Sequence, residues 1–247
     1  MPQKNHYAFV IDLSRCIDCR ACLVACSVEN SVPMEHTRIW VKDLGVQGEF
    51  PALKRSFVPY NCMHCDNPPC IEVCVSGATY KDPISGLVLV DQEACIGCGY
   101  CVEACPYEAR YLNEKRGVVD KCSACTQRLE ASLQPACVAT CLGGSRMFGD
   151  LNNPDDPIHK AIKNARSSQT LDIVYRSGRE TDPNILYING DVENSNIKPK
   201  LPEYTLAEEG WKNVLMPLVG LGIGAAFLGQ AVMFTKELLS GESEFEE

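Results

Sequence analysis

Apolar residues in this chain come in short runs bounded by turn residues until about position 205, where the pattern changes. Residues 7–13 read as a strand, and residues 38–44 and 54–58 alternate like the arms of a hairpin joined by 45–51. Such an insertion packs against its own domain more often than it recognises a partner; this one fits either role. A second hairpin is predicted where Asp82-Pro83-Ile84-Ser85-Gly86 supplies the turn and 87–91 the return strand, and residues 117–120 form another strand. Asp155-Asp156-Pro157 is a helix start, so a short helix is expected over 158–166, with strands at 171–175 and 185–188. The stretch 190–202 is polar and contains proline, as an extended arm or linker does.

From Thr205-Leu206-Ala207-Glu208, a capping-box pattern, the chain runs into residues 214–234, which carry no charge. These 21 residues at ~1.5 Å each span roughly the ~30 Å hydrocarbon core of a bilayer. Trp211 sits where an interfacial anchor belongs, Pro217 should kink the helix or mark its entry, and Gly220, Gly224 and Ala225 make a small-residue face. A buried core helix would show the same run, but nothing after it offers cover and Gly241 ends it; a membrane anchor is the expectation. Lys198, Lys200 and Lys212 against Lys236 favour a cytoplasmic face, an inference that a folded domain exported with a partner escapes. The N-terminus shows neither a secretory signal pattern nor twin arginines, so the chain is expected to stay in the cytoplasm or to cross folded, carried by a partner.

A hydrophobic content of 45% and a charged content of 22% are ordinary for 247 residues, and the net charge of −9 argues against a nucleic-acid partner. Part of that charge lies in an acidic tail, Glu242, Glu244, Glu246 and Glu247. Sixteen cysteines are far from ordinary. They fall into four groups of four: Cys16, Cys19, Cys22 and Cys26; Cys62, Cys65, Cys70 and Cys74; Cys95, Cys98, Cys101 and Cys105; and Cys122, Cys125, Cys137 and Cys141. The third group, followed by Pro106, has the bacterial ferredoxin spacing, and the first matches it except that Ser27 replaces the proline. A disulfide framework would need a secretory signal and better geometry than close C-x-x-C pairs allow. Structural zinc rarely uses four cysteines at this spacing, and no C-x-x-C pair is followed by the histidine that haem c requires. The fourth group, with eleven residues between Cys125 and Cys137, is weak alone and strong beside the others.

In two-cluster ferredoxins the fourth cysteine of a run serves the neighbouring cluster. Groups two and three are close in sequence and should form one inner unit, leaving groups one and four to pair around it. The expected sets are Cys16, Cys19, Cys22 with Cys141; Cys26 with Cys122, Cys125, Cys137; Cys62, Cys65, Cys70 with Cys105; and Cys74 with Cys95, Cys98, Cys101. Each should hold a [4Fe-4S] cluster, with [3Fe-4S] an alternative at one of them. His64, between Cys62 and Cys65, either ligates iron or, more in keeping with four available cysteines, packs and hydrogen-bonds nearby. His6, His36 and His159 are expected at the surface, and Arg110, Lys115, Arg116 and Lys121 on a solvated face. With four cysteines per cluster and no Ser/His/Asp or flavin pattern, the chain reads as an electron carrier rather than an enzyme.

Three motifs carry a family resemblance: Asn61-Cys62-Met63-His64-Cys65-Asp66-Asn67-Pro68-Pro69-Cys70; Cys105-Pro106-Tyr107-Glu108-Ala109-Arg110-Tyr111; and Asp120-Lys121-Cys122 through Pro135-Ala136-Cys137 to Cys141, ending at Phe148-Gly149-Asp150. Over roughly residues 5–190 the chain resembles the four-cluster electron-transfer subunit of polysulfide, tetrathionate and dimethyl sulfoxide reductases. The resemblance implies a molybdenum or tungsten pterin catalytic subunit and a polytopic, quinone-reactive membrane subunit as partners. Leu142 departs from the family's proline after the last cysteine. The C-terminal anchor is similar instead to that of iron–sulfur subunits of membrane formate dehydrogenase and of a nickel–iron hydrogenase, which makes those complexes the alternative. The expected architecture is α+β: a double ferredoxin-like domain over 1–150 with its inner unit at about 60–112 and an inserted hairpin, an extension over 151–204, a transmembrane helix within 205–240, and the tail 241–247.

Overall fold

The computed structural model describes residues 5–171, 180–190 and 192, with the isolated positions 230, 232 and 235. The chain divides into two units, Met1–Leu201 and Pro202–Glu247. The uncharged run 214–234 lies almost wholly outside the described residues; among those described, no helix is long and apolar enough to cross a membrane.

The first unit is built on β1 (Tyr7–Asp12), whose central residues Ala8, Phe9, Val10 and Ile11 are all buried. A strand apolar on both faces must be covered on both, and the alternation of side chains divides the work. Phe9 and Ile11 face the cysteine-rich core, together with Ile185 and Tyr187 of β10 (Ile185–Ile188). Val10 and Ile188 face the other way, onto Ile158 of the helix Pro157–Lys163. The sheet order is β8-β1-β10-β9, with β1 and β10 parallel, β8 (Arg146–Asp150) antiparallel to β1, and β9 (Ser168–Thr170) antiparallel to β10. The helix Pro157–Lys163 begins where Asp156 accepts a hydrogen bond from the Ile158 amide, with Pro157 in the first turn where no amide donor is needed.

The region predicted as strand at 171–175 forms its strand slightly earlier. Ser168–Thr170 is a polar edge that pairing with β10 makes a strand; Leu171 falls just past it and 172–175 lie outside the described residues. The inserted hairpin is present as β2 (Ile39–Gln47) and β3 (Lys54–Asn61), with a register irregularity between Asp43 and Val46. Ile39 and Val58 bury its base in the core, while Phe50 at its tip is 88% exposed. Two further hairpins, β4 (Thr79–Lys81) with β5 (Val88–Val90) and β6 (Arg110–Asn113) with β7 (Val118–Lys121), complete the strands.

The cysteines ride on helices in chain order: α1 (Ala21–Glu29), α2 (Pro69–Glu72), α3 (Tyr100–Glu103), α4 (Thr126–Glu130) and α5 (Ala136–Ala139). The helix Pro157–Lys163 is α6. α1 packs on α5 and α2 packs on α3.

Candidate metal centres

Each cysteine group ends in a C-x-x-x-C step across a short helix. Cys22 and Cys26 both lie in α1, whereas Cys70, Cys101 and Cys137 lie in α2, α3 and α5, with Cys74, Cys105 and Cys141 just beyond those helices. Four residues along a helix is one turn, so the two thiols share a face and emerge about 6 Å apart. The earlier cysteines of each group sit in loops that bend back through left-handed backbone. Asp18 and Arg20 take φ of 52° and 56° in the first, Gly97 and Gly99 of 67° and 78° in the third, and Cys125 itself has a φ of 53°. At Gly97 a Cβ would lie 2.3 Å from the Gly117 carbonyl oxygen, so no side chain fits.

None of the sixteen cysteines is in a disulfide. Cys16, Cys19, Cys22 and Cys141 line one cavity, with Val41, Pro59, Gly143 and Arg146 closing it. The side chain of Asn30 donates to both Cys26 Sγ and Cys125 Sγ at 3.6 Å, so groups one and four meet there. Cys26 feels the charges of Cys122, Cys137 and Cys125, and Cys105 those of Cys62 and Cys70. Cys95 and Cys101 share an apolar cluster with Cys70, while Cys74 and Cys98 join this region through position alone, past α2 and in the loop before α3. Among the described residues, no three His, Cys, Asp or Glu side chains converge on a point that a single metal ion could occupy.

Most of these thiols are buried and held neutral. Burial pushes Cys22 up to about 11 and Cys105 and Cys122 up to about 12, and raises Cys26 and Cys65 strongly, with neighbouring thiolates adding to it. At Cys74 burial also pulls upward, but the Thr79 amide at 3.3 Å and the Ser76 hydroxyl outweigh it and lower the value. Backbone amides of Val119 and Ala124 donate to Cys95 Sγ and Cys122 Sγ, each at 3.4 Å.

Two residues expected on a solvated face are buried instead: Arg110 is 4% and Lys121 3% exposed, whereas Lys115 and Arg116 are exposed. Alternation along β6 and β7 turns both side chains inward among the cysteines, where thiolate charge offsets their burial. Two cations that sequence reasoning passed over join them. Arg38 pairs with Asp120 at 2.6 Å and lies near Cys26 and Cys122; Arg146 donates to Asn61 and lies near Cys22 and Cys137. No local signal marks them, since Arg38 opens an inserted hairpin and Arg146 opens β8. Lys121 Nζ donates to the carbonyls of Val88 and Cys122, and its charge reaches Cys62, Cys122 and Cys70. His64 is buried and its Nδ1 accepts from the Val88 amide, the packing role expected of it. His6, His36 and His159 are half-buried; His36 stacks on Tyr111 at 4.3 Å.

Orphaned polar groups test whether the site suits an iron–sulfur cluster. Arg38 Nε, Arg110 Nε, and Arg146 Nε and Nη1 are buried donors with no partner among the described atoms. A buried donor without an acceptor costs roughly 1–3 kcal/mol, and the inorganic sulfides of a cluster are acceptors. Thiolate donors, buried cations and orphaned N–H groups all fit such clusters.

Residues 53–151 match a 4Fe-4S dicluster domain family and residues 15–78 match a second family of the same description. An iron–sulfur relative from Salmonella typhimurium, a subunit of tetrathionate reductase, is 41% identical over 189 residues, covering 76% of this chain and 74% of that protein. This chain belongs to the four-cluster iron–sulfur electron-transfer subunits of such oxidoreductases. The iron–sulfur subunit of a putative dimethyl sulfoxide reductase from Halobacterium salinarum is 36% identical, covering 76% of this chain and 80% of the relative. A sulfite dehydrogenase subunit of Allochromatium vinosum is 38% identical, covering 66% and 77%. Two dicluster domains and sixteen cysteines amount to four [4Fe-4S] clusters in this family member. The chain is an electron-transfer subunit, and relatives so named do not favour the formate dehydrogenase or hydrogenase alternative.

Proposed function

We propose that the chain carries electrons in single file through its four clusters, between a catalytic subunit and a membrane subunit. Each cluster supplies a one-electron carrier. The ligand sets are Cys16, Cys19, Cys22 with Cys141; Cys26 with Cys122, Cys125, Cys137; Cys62, Cys65, Cys70 with Cys105; and Cys74 with Cys95, Cys98, Cys101. The cavity lined by Cys16, Cys19, Cys22 and Cys141, the Asn30 bridge and the packing of α1 on α5 and α2 on α3 all support that assignment.

One observation carries the order: Cys122 lies close enough to Cys62 to feel its charge, so the second and third sets are the inner neighbours. The first and fourth sets then form the two ends, where Cys19 and Cys98 are the exposed cysteines. Apolar residues surround both exits: Ile17 is 62% and Leu142 78% exposed at one, and Ile96 65% and Val75 68% at the other. The partners proposed are a molybdenum or tungsten pterin catalytic subunit and a polytopic quinone-reactive subunit, with lipid around an anchor within 205–240. The basic residues before the anchor favour a cytoplasmic cluster domain and export with a partner a periplasmic one; protease access to intact cells separates the two. Direction of flow follows the catalytic partner, since the relatives carry both reductase and dehydrogenase names.

Metal analysis of anaerobically purified protein tests the cluster count. Iron and sulfide are expected near sixteen each per chain, from four clusters of about four irons. A value near fifteen marks one [3Fe-4S] centre, and zinc as the dominant metal sinks the reading. Copurification of the complex then identifies the partners.

A further inference from the structure

Arg110 occupies an unusual position in the inner unit. One guanidinium nitrogen, Nη2, donates to Cys70 Sγ at 3.0 Å, and the other, Nη1, to Thr79 Oγ1 at 3.1 Å. The Thr79 amide in turn donates to Cys74 Sγ at 3.3 Å. A continuous chain of hydrogen bonds therefore runs from a proposed ligand of the third cluster to a proposed ligand of the fourth, with the positive charge at the end nearer the third. The side chain is 4% exposed, no carboxylate pairs with it among the described residues, and its Nε has no partner among the described atoms. Arg38 differs: it sits beside Cys26 and Cys122, but Asp120 at 2.6 Å cancels most of its charge.

We propose that Arg110 sets the potential step between the two inner-unit clusters, raising the potential of the cluster ligated by Cys70 above that of its neighbour ligated by Cys74. Reduction adds one negative charge, and a fixed cation against one ligand stabilises that form. Burial keeps the interaction unscreened by salt, and a guanidinium does not lose its proton in a protein. Reach decides the asymmetry. Cys70 Sγ takes the guanidinium directly, whereas Cys74 Sγ takes only a neutral amide one residue removed from it. Lys121 adds positive charge on the same side, near Cys62 and Cys70. Electrons arriving at the exposed end of the inner unit would then move downhill toward the centre of the chain.

This inference rests on the ligand sets proposed above, and the experiment keeps the two apart. The protein is purified anaerobically as the full chain with its copurifying subunits, and its four midpoint potentials are measured by redox titration followed by electron paramagnetic resonance. The signal of the Cys70 set is identified as the one lost in Cys65→Ser. Arg110→Gln, at full iron content, should shift the oxidised-to-reduced ratio of that cluster at least tenfold toward oxidised, which is a fall of 59 mV for one electron. The two outer-unit clusters should stay within threefold of their native ratios. Arg110→Lys, which keeps the charge, should stay within threefold at all four. Unchanged potentials in a fully loaded Gln variant, or equal shifts of all four clusters, overturn the proposal. If the Gln variant fails to load, Arg110→Met is the second neutral variant. If neither loads, the Lys variant decides, and a tenfold fall there shows that geometry rather than charge matters and overturns it. Native protein without clusters defeats the ligand sets instead, before any variant is compared.

Discussion

Burial pushes Cys22 up to about 11 and Cys105 and Cys122 up to about 12, so each of these thiols gives up its proton only when something positive takes the proton's place. Iron supplies most of that charge, and Arg38, Arg110, Lys121 and Arg146 supply the rest from within the fold. This is why four cations tolerate an interior that normally excludes them. It also means that a single thiol is felt by the cluster it completes and little elsewhere. Cys141→Ser should therefore disturb the cluster of Cys16, Cys19 and Cys22, more than a hundred residues away in sequence, and leave the inner pair intact. Iron is expected to fall from about sixteen to between about twelve and fifteen per chain, with one resonance signal lost or converted. Retention of all four native signals would defeat the interlocked pairing.

At the scale of elements, the recurring device is a tight loop followed by one helical turn. The loop presents three thiols inward and the turn carries the last one toward the neighbouring set. Left-handed backbone makes the loop, and Gly97 and Gly99 show two different reasons for glycine there. Gly99 has a φ of 78° and open space around its Cβ position; Gly97 has a φ of 67° and the Gly117 carbonyl oxygen 2.3 Å away. Gly99→Ala should cost only the handedness term, about 1–2 kcal/mol, or roughly 2–8 °C in the melting temperature of the loaded protein. Gly97→Ala meets a backbone atom that cannot swing aside and should cost clearly more, with loss of iron from the set that includes Cys95 and Cys98. Equal melting temperatures for the two variants would remove the steric argument.

Across the first unit, residues 180–190 brace the cysteine core. The Asn184 amide donates to the Met63 carbonyl at 2.8 Å, and its side chain donates to the His64 carbonyl and to Asp66, at 2.8 and 2.7 Å. The Asp66 and Asn67 amides donate back to the carbonyls of Asp182 and Thr181. The loop that carries Cys62 and Cys65 is thus held from the far end of the same unit, while Tyr107 donates to the Leu171 carbonyl at 2.7 Å. The second unit is expected to act separately, as an anchor. Removing residues 214–247 should release the chain from membranes when it is expressed without membrane partners, with its clusters and melting temperature unchanged. Identical fractionation of the truncated and full-length chains in the soluble pool would mean that the uncharged run is a core helix.

The local chemistry was legible in the sequence because a cluster constrains its ligands at short range. Cysteines two or three residues apart must share a loop and a turn, so the four groups, the strand before the first and the two hairpins around Asp82 and Gly117 follow from spacing and alternation. The helix start at Asp156-Pro157 was equally local, a side-chain cap and a proline. What only the tertiary structure decided concerns partners distant along the chain. That β10 lies parallel to β1 was invisible, because an apolar run such as Ile185–Ile188 predicts a strand and not its neighbour. Arg110 and Lys121 read as surface charge because their polarity is local information, whereas the thiolates that make their burial tolerable come from other groups. Arg38 and Arg146 carried no signal at all, since an isolated arginine acquires a role here only when an inserted hairpin or a sheet edge turns it toward sulfur. Spacing sets which cysteines can share a cluster; the fold sets the charges around them, because electrostatic neighbours are chosen by packing and not by position in the chain.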